Sequence, residues 1–170
     1  MKRYQFDAQK SNSEKTFDFD AIVSLMNAAA NKAFPASLPL EIQATLATDA
    51  DGDYQPRVLD NIFMASLFME DGKPTTIECT VADEEVVAKK VNKMWCEDKP
   101  MAAVVRINLN EVLARLNEAN LVRRVQSANF TLRMPLFGSV EPVYCFYAGT
   151  EHNIAHFIHV GAESGKITEY

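Results

Sequence analysis

Three histidines, His152, His156 and His159, fall within eight residues and are the only ones in the chain. Imidazole is the commonest protein metal ligand and the side chain best suited to proton transfer near neutrality. On a helix the three would share one face. Here Ile154, Phe157, Ile158 and Val160 run up to a Gly-containing turn, which reads as a strand. On a strand His152 and His156 share a face about 13 Å apart, and His159 points the other way. One ion cannot be held by all three, so no tightly bound metal is expected there. The acidic run Asp49-Ala50-Asp51-Gly52-Asp53 has its glycine at position four of a calcium loop, where the EF-hand form needs it at six. It reads as a solvated turn. Of the cysteines, Cys145 lies in an apolar run and is expected to be a buried, inert thiol; Cys96 sits between Trp95 and Glu97, where acid discourages the thiolate. No nucleophile elbow, phosphate loop or dinucleotide fingerprint is present. The residues therefore point to no cofactor and lean away from an enzyme.

The elements that would position such groups come in a repeated order. Phe17-Asp18-Phe19-Asp20 followed by an amphipathic run matches Ile107-Asn108-Leu109-Asn110 followed by another. Asp20 and Asn110 are read as helix N-caps, since a short acceptor side chain satisfies a free amide of the first turn. Downstream, Ala44-Thr45-Leu46 matches Phe130-Thr131-Leu132, and Asp71-Gly72-Lys73 matches Ser164-Gly165-Lys166, each Gly-Lys being a hairpin signal. Val86, Val87, Lys90, Val91 and Met94 have helical spacing, and the acids Asp83, Glu84 and Glu85 would suit the first turn of that helix. The expected fold is α+β: two similar helix-plus-antiparallel-sheet halves, an internal duplication, joined by a bridging helix. The boundaries are a polar, loosely ordered N-terminal segment over 1–16, then one domain over 17–170 made of a repeat at 17–81, the bridging helix at 83–100 and a repeat at 106–170. The halves are expected to superpose.

Two runs, Ile62 to Met69 and Val143 to Ala148, are apolar on both alternating faces, so their strands should be covered on both sides. A helix covers one side, and the bridging helix, a second protomer or a partner must cover the other. In architecture, on element order and the Gly72-Lys73 and Gly165-Lys166 turns, residues 17–170 resemble the β-lactamase-inhibitor-protein-like and cystatin-like folds, which implies a binding or inhibitory scaffold. A looser resemblance, around Leu116 to Leu121, is to the small acidic secretion chaperones of bacteria.

The reading is a non-catalytic protein-binding module, self-associating or bound to a protein partner. The alternative is a small-molecule-binding protein or enzyme that uses a cavity on the sheet. Candidate binding residues are Met64, Phe68, Tyr144 and His156. A net charge of −6 repels phosphate backbones and sets nucleic acid aside. No run nears the roughly 20 apolar residues of a membrane span. Three widely spaced cysteines are no disulfide framework and fit a reducing, cytoplasmic compartment; secretion with one pair and one free thiol is the alternative.

Overall fold

The computed structural model describes residues 2–5, 9–11, 14–82, 85–92, 98–101, 105–152 and 154–170. Helices form where the amphipathic runs place them, α1 over Phe19–Ala33 and α2 over Leu109–Glu118. Their caps lie two residues earlier than expected. Asp18 accepts from the Ala21 amide at 2.9 Å, and Asn108 accepts from the Glu111 amide at 2.9 Å while the Glu111 carboxylate returns a bond to the Asn108 amide. This shift lets Phe19 and Leu109, both buried, open the inward stripe of each helix.

Thirteen strands are described: β1 Lys2–Gln5, β2 Gln9–Ser11, β3 Glu14–Asp18, β4 Leu38–Thr48, β5 Tyr54–Leu59, β6 Phe63–Glu70, β7 Lys73–Ala82, β8 Glu85–Val91, β9 Asp98–Lys99, β10 Asn129–Pro135, β11 Val143–Glu151, β12 Ile154–Gly161 and β13 Ile167–Glu169. Nine of them follow one path, β1-β8-β7-β6-β4-β10-β11-β12-β13, and β5, β3, β2 and β9 branch from it. The expected pair of halves is thereby corrected. The chain forms one continuous, mostly antiparallel sheet, because β4 hydrogen-bonds along its length to β10 (Glu41 opposite Arg133, Thr45 opposite Asn129) and no boundary separates the two sets of strands.

The bridging helix is also corrected. Residues 85–91 form β8, paired with β7 from Ala82 opposite Glu85 to Thr76 opposite Val91. On the strand Val86 faces the core with Ala88 while Val87 and Val91 take the opposite face, and branching at Cβ favours the pleated conformation once a neighbouring strand offers its ladder. Asp83, Glu84 and residues 93–97, among them Met94 and Cys96, lie outside the described residues. The described parts of the N-terminal segment join the sheet, β1 on β8 and β3 on β5.

Both helices share one core with the inner face of the sheet. Ile22, Met26 and Ala30 of α1 and Val112 and Leu116 of α2 meet Ile42, Met64, Ile77, Phe130, Phe146 and Ile158. Phe130 sits at the centre, 5.1 Å from Phe19 and 5.4 Å from Phe146 between ring centroids. Among the described residues no helix is long and apolar enough to cross a membrane.

Candidate functional site

The face of the sheet away from this core carries no helix among the described residues. On β4 the residues alternate: Ile42, Ala44 and Leu46 are buried in the core, and Gln43 and Thr45 turn outward. On β10, Phe130 and Leu132 point in, and Asn129, Thr131 and Arg133 point out. Strand pairing then sets the outward residues in rows. One row reads Phe63, Gln43, Thr131, Cys145 and His159, each opposite the next. The adjacent row holds Thr45 opposite Asn129, and Tyr147 opposite Phe157.

Between these rows lies a groove of about 350 Å³, lined by Gln43, Thr45, Asn61, Asn129, Thr131, Cys145, Tyr147 and Phe157. Its walls differ in character. On one side the Asn61 amide donates to Thr45 Oγ1 at 2.8 Å, and Thr45 Oγ1 donates to Asn129 Oδ1 at 2.6 Å. This chain holds both amides in place and uses neither the Asn61 carbonyl oxygen nor the Asn129 NH₂, and both residues are exposed. On the other side Tyr147 and Phe157 meet nearly edge to face, centroids 5.9 Å apart at 65°. The Tyr147 hydroxyl shares a 2.6 Å bond with Thr150 Oγ1, which fixes the ring.

Cys145 and His159 are cross-strand partners at the groove's edge, a spacing that brings Cβ atoms to about 4.5–5.5 Å. Neither is primed for chemistry. Burial pushes the Cys145 thiol up; Arg133 and a Thr131 hydrogen bond offset this in part, while Glu41 adds to it. Burial, then the Arg133 charge, pushes His159 down. The pair at neutral pH is thus a thiol beside a neutral imidazole, whose ring lies 4.7 Å from that of Tyr170. Cys145, expected from its apolar run to be a buried thiol, is largely buried but reaches the surface on the outer face. The core thiol is Cys79, pushed up to about 12 by burial. Charge stands in the next row, where Arg133 pairs with the fully buried Asp98 carboxylate at 2.7 Å, Glu41 accepts from the Gln43 amide and, farther along, Glu78 pairs with Lys89 at 3.3 Å.

The four candidate binding residues are not brought together. Met64 and Tyr144 are fully buried in the core, and the Tyr144 hydroxyl donates to the Ile107 carbonyl at 3.0 Å. Phe68 packs on Phe34 of the segment after α1, centroids 5.6 Å apart. His156 is half-buried on β12 opposite Gly149, where the ladder slips. Of the other histidines, His152 lies at the turn after β11 and His159 on the outer face. The acidic run is a turn: Asp49 Oδ1 accepts from the Asp51 and Asp53 amides at 3.0 and 2.9 Å.

Sequence reasoning missed the groove's own residues. The signal was the alternation Glu41-Ile42-Gln43-Ala44-Thr45-Leu46 and Asn129-Phe130-Thr131-Leu132-Arg133, the mark of strands with one buried and one open face. The strands expected to be covered on both sides are partly open on one: Phe63 and Leu67 on β6, and Cys145 and Tyr147 on β11, are partly exposed, while Ala65 between the first two is fully buried. No protein family, curated protein or solved structure matches the chain.

Proposed function

We propose that the chain is a small-molecule-binding protein that holds its ligand in the groove on the face of the sheet opposite the two helices. The observation that carries this reading is the groove itself. Its volume of about 350 Å³ falls within the roughly 300–1,000 Å³ of small-ligand sites. It sets immobilised hydrogen-bonding groups against two aromatic rings, and those groups stand on strands, which hold their positions better than loops do. A cytoplasmic setting belongs to the same reading and is supported by the free thiols of Cys79 and Cys145. The test is a thermal-shift screen of polar metabolites, followed by NMR mapping of the hits. Shifts centred on Asn129, Thr131, Tyr147 and Phe157 are expected; hits that map to the helix side alone would refute the assignment.

A protein partner is the second reading, favoured by a different observation. Leu38, Met69, Leu136, Phe137 and Val140 are exposed apolar residues, with Phe137 89% and Val140 96% exposed. The start of β4 lies beside the end of β10 and the end of β6, so all five gather at one end of the sheet. Gathered apolar surface of this kind marks interaction sites.

A further inference from the structure

We infer that the groove selects a neutral, hydroxyl-bearing ring, a carbohydrate, over charged or purely planar ligands. The inference rests on the reading of the groove as the ligand site and specifies its ligand class.

Three features of the lining carry it. First, the lining residues Gln43, Thr45, Asn61, Asn129, Thr131, Tyr147 and Phe157 are uncharged, and the one thiol among the lining residues, Cys145, is held protonated by burial. The cation of the neighbouring row, Arg133, is turned to the Asp98 carboxylate at 2.7 Å, and no charged residue lines the groove, so an anionic ligand would find no counter-charge among the lining residues. Second, the groups the chain leaves open are one amide acceptor, on Asn61, and one amide donor, on Asn129, and a sugar hydroxyl, donor and acceptor at once, can meet either. The Asn61–Thr45–Asn129 chain presents a carbonyl oxygen at one end and an NH₂ at the other, already oriented by its internal bonds of 2.8 and 2.6 Å. Preorganisation of this kind reduces the ordering cost of binding. Third, the two rings stand at 65° to each other. They form no parallel pair that would sandwich a flat base. Their tilt leaves no flat slot between them, and an aromatic ring in the lining suits the apolar C–H face of a puckered ring with a polar rim.

The test is isothermal titration of the whole protein with a panel of neutral mono- and disaccharides at millimolar concentration. Uncharged nucleosides, amino acids and sugar phosphates serve as comparison probes. At least one neutral saccharide is expected to bind, with its sugar phosphate weaker. Tyr147→Ala and, independently, the exposed-site variant Asn129→Ala are each expected to weaken it by about tenfold or more, on the scale of one stacked ring or one hydrogen-bonded pair. Asn129→Ala is expected to leave the melting temperature unchanged, so its loss of binding cannot be laid to unfolding. If nucleosides or amino acids bind in an Asn129-dependent way and saccharides do not, the carbohydrate inference is overturned and the groove stands as the ligand site. If saccharides bind but both variants bind them as well as the native protein, the inference is overturned too. If no probe of any class binds, both it and the ligand-site reading fall.

Discussion

Two carboxylates of opposite behaviour show how single residues set the pH response of the molecule. Glu141 caps the turn after β12: it accepts from the amides of Glu163 and Ser164 at 2.7 and 2.8 Å and from the Ser164 hydroxyl at 2.5 Å. Burial would raise its pKa, but these bonds and the Lys166 charge prevail and hold it below its ordinary 4.5. Gly161 makes room for this, since a Cβ there would come within 2.5 Å of Glu141 Oε1. A carboxylate depressed on folding adds stability that is present above about pH 4.5 and is lost as pH falls through the folded pKa. Glu141→Gln is therefore expected to melt lower than the native protein at pH 7 by about 2–4 °C, and thermal melts repeated near pH 3 should show the gap closing. Asp20 behaves the other way. Burial raises its pKa above 3.8, with Asp18 and Glu111 adding to the effect against a bond from the Leu109 amide at 3.4 Å. A carboxyl raised on folding stabilises below its unfolded pKa and loses that contribution as pH rises through the folded one, so at pH 7 the ionised Asp20 is a net cost. Asp20→Asn keeps an acceptor for Leu109 and removes the charge. It should raise the melting temperature at pH 7 by about 1–3 °C and give no gain near pH 3; a lower melting temperature at pH 7 would show that the charge is compensated by the two helix N-termini it touches.

At the scale of elements, the reciprocal bonds between Asn108 and Glu111 start α2, the shorter helix, which brings Val112 and Leu116 to the core. Asn108→Ala removes the acceptor for the Glu111 amide and should cost about 1 kcal/mol, read as a drop of about 2–4 °C in calorimetry; Asn108→Asp should preserve the native value. Both helices were legible in the sequence because apolar periodicity is a local signal, and so was the two-residue turn at Asp71 and Gly72, whose positive φ values of 49° and 77° fit the mirror-image turn that joins β6 to β7. The caps were displaced because the repeated apolar–Asp/Asn pattern offers two acceptors per helix, and only burial of Phe19 and Leu109 chooses between them. The spacing of the valines in β8 is helical, and what overrides it, β-branching plus the ladder offered by β7, lies across a hairpin. The groove was illegible for a stronger reason. Gln43 and Thr131 lie 88 residues apart (131 less 43) and become neighbours only through the β4–β10 ladder. That ladder pairs strands from the two segments that the sequence presented as separate halves.

The whole molecule has one face that hydrogen-bonds and one end that is apolar, and magnitudes decide what the apolar end does alone. Burying a large apolar side chain is worth roughly 1.5–3 kcal/mol. Leu38, Met69, Phe137 and Val140 are the most exposed of the apolar set at that end, and, counted by their exposed fractions of 44, 53, 89 and 96%, they supply about 4–8 kcal/mol per protomer and about 8–17 kcal/mol for a pair. Association costs an estimated 4–15 kcal/mol in lost rigid-body freedom, before side chains are ordered. The two terms nearly cancel, so self-association through this end is expected to be weak. Light scattering should find a monomer at low micromolar concentration, with growth in mean mass only at about 100 µM and above, in the regime of millimolar to high-micromolar dissociation constants. The hairpin loop between β10 and β11 is the place to test this, because Phe137 and Val140 are 89% and 96% exposed and contribute little to the core. The double change Phe137→Ser and Val140→Ser should abolish the concentration dependence and leave the melting temperature within about 1 °C, as surface substitutions away from packed features do. A stable dimer at nanomolar concentration that survives the double change would place the interface elsewhere. A melting temperature that falls by several degrees would mean that these side chains pack against the molecule's own surface. The glycine between them, Gly138, has φ 81° and open space where a Cβ would stand, so Gly138→Ala tests the loop's shape without touching its apolar side chains and should reduce association only by straining the turn.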